Sequence, residues 1–122
     1  MLLRDYVSKL SESCKPIIMN RYYDLLNEEI TIPGSLDIIA NFLKVLSNNT
    51  RLKILYLLAK YQLPVCLIAA ILNKDQTLIS HHLKTLKEYG LVREYTSGKF
   101  KYYTTNKDKI KSILSTLLYN IE

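Results

Sequence analysis

DQTLISHHLKTLKEYG, residues 75–90, is the stretch on which the reading of this 122-residue chain turns. Wound at 100° per residue, it sorts into two faces. Ile79, Leu83 and Leu86 form one narrow apolar stripe at i, i+4 and i+7. Thr77, His81, Lys84 and Glu88 lie opposite, flanked by Gln76, Ser80 and Lys87. Asp75 is placed to cap the start, and Gly90 stands where a left-handed residue ends a helix. The pattern fits any amphipathic surface helix. It also fits a DNA recognition helix, whose stripe fixes it to its domain while polar outer residues reach base edges and phosphates. The neighbouring segments separate the two readings.

Upstream, Pro64 suits the first turn of a short helix over 64–72, and Asn73-Lys74-Asp75 makes a tight turn into the next helix. Two helices joined by three residues, the second with a polar outer face, predict a helix-turn-helix. Downstream of Gly90 the period changes from 3.6 to 2. Segments 91–96 and 99–104 are rich in β-branched and aromatic residues, and Ser97-Gly98 between them predicts a two-residue hairpin turn. Arg93, Lys99 and Lys101 project from this hairpin, as a wing that contacts phosphates requires.

Further out, Ser35 is placed to cap a helix over 35–46 with Asp37 in its first turn. Thr50 is expected to cap the next helix. That helix carries Leu52, Ile54, Leu55, Leu57 and Leu58, too apolar all round for a surface helix, and belongs at the centre of the core. Residues 2–27 read as helical. Leu3, Val7, Leu10, Cys14 and Ile17 recur at alternating steps of four and three, a coiled-coil-like seam. Pro16 should kink this helix or start a second one. Pro33-Gly34 marks a connector. A last helix over 106–120 shows Ile110, Ile113, Leu114, Leu117, Leu118 and Ile121 on one face. The terminal helices carry more apolar surface than one small domain can bury. Leaving it wet is costly at roughly 25 cal/mol per Å², so a homodimer built from them is expected.

Composition sets the outer bounds. At 48% apolar residues the chain is globular rather than disordered. No apolar run approaches the ~20 residues that span a bilayer. The first fifteen residues mix acids with apolar residues and lack a cleavage-type ending, so no signal peptide is read and a cytoplasmic protein without membrane partners is expected. The net charge of +6 is unevenly spread: residues 74–111 hold nine basic and four acidic side chains, while residues 1–73 hold eight and six. Excess positive charge around the recognition segment favours a polyanionic partner. The two cysteines, Cys14 and Cys66, form neither a disulfide framework nor a zinc-finger spacing.

The ordered set of pieces over residues 43–103 resembles the ArsR/SmtB family of winged helix-turn-helix repressors. Segment 47–51 is similar to the family's short break followed by Thr50-Arg51 at a helix start. Segment 76–83, ending in Ser80, His82 and Leu83, looks like its recognition-helix signature. LKEYGLV, residues 86–92, is similar to the exit into the wing, and 99–103 to the wing's returning strand. The resemblance implies a dimeric regulator that binds a pseudo-palindromic operator in the major groove. The family's metal sites do not carry over. Where soft-metal sensors have Cys-Val-Cys-Asp, this chain has Pro64-Val65-Cys66-Leu67, and Asp108-Lys109-Ile110 on the last helix lacks the family's histidine. One thiolate is not a soft-metal site, so no metal and no cofactor are expected. Cys14 and Cys66 are read as small buried apolar residues.

His81 shares the outer face with Thr77 and Lys84 and is read as a base or phosphate contact. His82 falls 60° from the apolar stripe and is read as a structural hydrogen-bonding residue. No nucleophile, base and orienting acid converge at motif spacing, and no Gly-rich phosphate loop is present, so no enzyme is expected.

The sequence thus predicts one mainly α domain over 1–122: dimerisation helices over 1–30, a DNA-binding core and wing over 35–104, and a C-terminal dimerisation helix over 106–121. The expected protein is a winged helix-turn-helix homodimer that binds double-stranded DNA in a sequence-specific way and, as the resemblance implies, regulates transcription as a repressor. Gln76, Thr77, Ser80, His81, Lys84 and Lys87 form its recognition face, and Arg93, Lys99 and Lys101 its wing contacts. Two alternatives stay open: a winged helix serving as a protein-interaction module, and a thiol-based metal- or redox-responsive repressor using Cys14 and Cys66.

Overall fold

Asn73 and Gly90 take φ of 53° and 71°, and each ends a helix in the same way. The N–H groups of Lys74 and Leu91 donate to the carbonyls of Ala69 and Leu86, and those of Asn73 and Gly90 to Ala70 and Lys87. These are the paired bonds of a Schellman turn, whose left-handed residue is glycine or, less often, asparagine. The two stops fix the lengths of the helices on which the fold depends.

The computed structural model describes all 122 residues. In chain order the elements are α1 (Leu3–Val7), α2 (Lys15–Arg21), a 3₁₀ turn (Tyr23–Leu25), α3 (Ser35–Leu46), α4 (Asn49–Lys60), α5 (Val65–Leu72), α6 (Gln76–Glu88), β1 (Val92–Ser97), β2 (Phe100–Thr105) and α7 (Lys107–Ile121). The chain forms two units, Met1–Gly34 and Ser35–Glu122. The expected mainly α fold with a two-stranded antiparallel wing is present in the second.

In that unit α4 lies at the centre, packed against α3, α5, α6 and β2. Ile54, Leu55 and Leu58 are its buried face. The helix is one-sided, however: Leu52 and Tyr56 are exposed, so the all-round burial expected from its apolar sequence is corrected. Asn48, not Thr50, is the N-cap, its side-chain oxygen accepting from the Arg51 N–H. A carboxamide one residue before the helix reaches the third amide of the first turn, which Thr50, already inside the helix, cannot do. Ser35 likewise is the first helical residue of α3, not its cap.

The wing is moored to this centre. Thr105 Oγ1 donates to the Leu55 carbonyl at 2.8 Å and Thr104 Oγ1 to that of Leu58 at 3.4 Å. These are the carbonyls that a hydroxyl can still reach on a packed helix. A backbone bridge pairs Leu63 with Tyr103. The strands begin one residue later than expected, and Ser97 pairs with Phe100. The two-residue turn is therefore Gly98-Lys99 rather than Ser97-Gly98. Gly98, with φ of 60°, takes its first position, where only glycine adopts a positive φ without strain. Asn106 then ties the start of α7 to the end of α6. Its side chain accepts from Lys109 N–H and donates to the Gly90 carbonyl.

The N-terminal unit departs from the sequence reading. An antiparallel bridge pairs Leu2 with Glu29, and Val7 and Leu26 are buried. The expected helical seam is interrupted. The chain leaves α1 at Ser8 and re-enters a helix at Lys15, and Leu10, Cys14 and Ile17 are exposed. Serine explains the gap. Ser8 Oγ donates to the Asp5 carbonyl and Ser11 Oγ pairs with Ser13 Oγ, local bonds that compete with helix continuation. Pro16 then sits in the first turn of α2, where its missing N–H costs nothing.

Candidate nucleic-acid interface

The helix α6 is anchored by three side chains with almost no exposure: Ile79 at 0%, Leu83 at 1% and Leu86 at 0%. Helical spacing then leaves the other side free. Gln76, Thr77, Ser80, His81, Lys84 and Lys87 are all exposed. Asp75 holds the N-cap position with extended backbone, but its carboxylate accepts no bond from the helix. It acts there through charge on the helix dipole alone.

His82 is half-buried and makes the structural bond expected of it. Its Nδ1 accepts from Arg51 Nε at 3.2 Å, linking α6 to the start of α4. This assigns the imidazole as neutral, with its proton on Nε2. Burial first, then the Arg51 and His81 charges, pushes its pKa below 6.5. The folded state therefore prefers the neutral ring. The stability this contributes is complete above pH 6.5 and is lost as pH falls from there through the lowered folded value. On going from about pH 7.5 to about pH 5.5, the urea midpoint of the parent should fall, and fall less in His82→Gln. Equal falls in both proteins would remove His82 from this role.

The wing completes the surface. Alternation along the ladder sets Glu94, Thr96, Lys101 and Tyr103 on one side of the hairpin and Arg93, Tyr95, Tyr102 and Thr104 on the other. Lys101 is thereby brought beside α6. A recess of about 190 Å³ is lined by Ser80, Lys84, Lys87, Glu94, Lys101 and Tyr103. A second, of about 220 Å³, is lined by Cys66, Gln76, Lys99 and Lys101 among others. Of the nine residues singled out from sequence, the recesses bring together Gln76, Ser80, Lys84, Lys87, Lys99 and Lys101. Thr77 and His81 lie on the exposed face of α6 without lining either. Arg93 stands apart, on the opposite side of the hairpin.

Lys87 is not a free cation. Its Nζ bonds Glu94 Oε1 at 2.5 Å, and this bond holds the Glu94 carboxyl below the usual carboxylate range. Sequence reasoning missed the pair because it is closed by the Gly90 turn, not by helical spacing. It also missed Lys74, exposed in the turn that leads into α6, although its charge and place were readable. Cys14 and Cys66 are both exposed, which corrects their reading as buried. Cys66 lies in the first turn of α5, turned away from the face that buries Ile68 and Ala69. No three His, Cys, Asp or Glu side chains stand close enough together to hold a metal ion.

The comparisons with known proteins each match part of the chain. Residues 48–94 match the family described as bacterial regulatory protein, arsR family. Over 77 residues the chain is 35% identical to a cadmium resistance transcriptional regulatory protein CadC homolog of Staphylococcus aureus, covering 62% of this chain and 64% of that relative. The chain thus spans less than two thirds of that relative's length. It is 33% identical over 78 residues to the transcriptional repressor SdpR of Bacillus subtilis, covering 64% of this chain and 87% of the repressor. Among solved structures, a homodimeric winged helix-turn-helix DNA-binding domain from Mycobacterium bovis superposes with a TM-score of 0.59 at 29% identity, over 75% of this chain and 89% of that one.

Proposed function

This chain belongs to the arsR family of bacterial regulatory proteins, and from that premise we propose that it is a homodimeric repressor that binds a pseudo-palindromic operator in duplex DNA. One observation carries the proposal. The helix α6 is fixed by a fully buried apolar stripe and turns a polar face outward, with Leu78 exposed at its edge, beside a wing that holds two exposed lysines. Such a face suits the major groove. Gln76 can read adenine bidentately, Thr77, Ser80 and His81 can pair with several base edges, and Lys84 serves a phosphate. Lys99 and Lys101 hold the adjoining backbone. Lys87 contributes less to phosphate binding because Glu94 offsets its charge. Arg93 reaches DNA only if the duplex curves round the outer side of the wing.

The dimer is supported by α7. Leu114, Leu118 and Ile121 stand exposed at i, i+4 and i+7, and the related M. bovis domain is homodimeric. No helix is long and apolar enough to cross a membrane, and the family is regulatory rather than enzymatic.

The wing lysines position without specifying. Lys99→Ala should weaken binding to all duplexes by a similar factor and lower the slope of log K against log salt by about one unit. A changed sequence preference with an unchanged slope would reassign the wing. A protein-interaction module, by contrast, would show no preferred duplex at all.

The ligand count argues against metal control. Cys14→Ser/Cys66→Ser protein should bind DNA like the parent, with or without zinc or arsenite. Operator release by micromolar metal in the parent, lost in the double variant, would restore the thiol-based reading.

A further inference from the structure

The hairpin tip carries a large apolar side chain that is not part of the core. Phe100 is 50% exposed, although it opens β2 and pairs with Ser97 across the ladder. It joins no aromatic pair; the pairs present are Phe42 with Tyr89 and Tyr95 with Tyr102. Lysines precede and follow it, and residues 95–107 contain no acid. The nearest carboxylate along β1, Glu94, is engaged by Lys87.

The ribbon behind Phe100 is braced. Tyr95 and Tyr102 stack with centroids 5.6 Å apart and planes at 20°, and the Tyr95 hydroxyl donates to Gln62 Oε1. Thr104 and Thr105 hold the far end to α4. A large apolar ring is therefore left half-exposed on a stiff support, at the edge of the recess it shares with Gln76 and Cys66 and next in sequence to Lys99 and Lys101. The flanking Lys99 and Lys101, with no acid in residues 95–107, make the tip cationic, which suits a polyanion better than an apolar protein surface. A duplex neutralises both lysines and offers an apolar slot between base pairs. Apolar wedges of this kind are how minor-groove proteins part a base step and bend DNA.

We propose that Phe100 is such a wedge: it enters the minor groove beside the major-groove half-site and partly unstacks one base step. The proposal rests on the repressor reading above. It makes Phe100 a specificity-determining residue that acts through deformability, favouring flexible TA or CA/TG steps where the wing lands.

The test uses duplexes recovered by the full-length parent from a random pool, with bending read by energy transfer between end labels. The parent should bend them by at least about 20°. Phe100→Ala should lose most of the bend, bind these duplexes about tenfold more weakly, and bind unselected duplex within about twofold of the parent. Phe100→Leu, still an apolar wedge, should keep most of the bend. A parent that leaves its selected duplexes straight, or a Phe100→Ala protein that bends them equally, overturns the wedge and leaves the repressor reading intact. A parent that recovers no preferred duplex overturns that reading, and the wedge with it.

Discussion

Leu114→Glu/Leu118→Glu protein should sediment as a monomer and lose operator binding by a factor of a thousand or more, order of magnitude. Both side chains are exposed on α7, at 42% and 59%, with Ile121 one turn further at 73%. Covering a leucine in a partner contributes about 1.5–3 kcal/mol, and a charge forced into the same seam costs more than that. Loss of affinity follows from geometry. A half-site held by one protomer gives up the second half-site, about 34–36 Å away along the duplex. Leu117 belongs to a different test. It packs against the protomer's own core, so a charge there would unfold the unit rather than part the dimer. A folded Leu114→Glu/Leu118→Glu protein that stays dimeric would move the interface off α7.

Leu83→Ala should destabilise the protein by about 2–5 kcal/mol, a large share of the roughly 5–15 kcal/mol that holds a domain of this size. Leu83 is 1% exposed, and Ile79 and Leu86 beside it have no exposure at all. Truncation would leave a cavity under the middle of α6, where the buried neighbours cannot collapse without shifting the recognition face. Chemical denaturation measures the loss directly. A loss below about 1 kcal/mol would mean that α6 is not fixed by this stripe.

The second unit was largely legible from sequence because its signals are local. The stripe of Ile79, Leu83 and Leu86 reports burial through helical period, and the change of period after Gly90 marks the wing. Gly90 marked the helix stop, and Gly98 marked the hairpin turn, which is one residue later than the Ser97-Gly98 expected. What escaped was closed by the fold. The bonds from Arg51 to His82 and from Lys87 to Glu94 join residues that no periodicity relates. The N-terminal seam failed for the opposite reason. Its apolar spacing was helical, but Ser8, Ser11 and Ser13 gave the backbone nearby alternatives, and the spacing rule does not weigh them. Leu52 and Tyr56 show the same limit: an apolar helix need not be buried on every side when its outer face is free to meet a partner.

On the proposed function, the outer face of α6 reads duplex DNA. Selection from a random duplex pool with the full-length protein, followed by salt titration on the recovered and unselected duplexes, tests it most directly. The expected product is an inverted-repeat sequence with half-site centres about 10–10.5 base pairs apart or a multiple of that. Recovered duplexes should bind about a thousandfold or more tighter than unselected ones, with a steep loss of affinity in salt. Equal binding to all duplexes, or binding indifferent to salt, would contradict it.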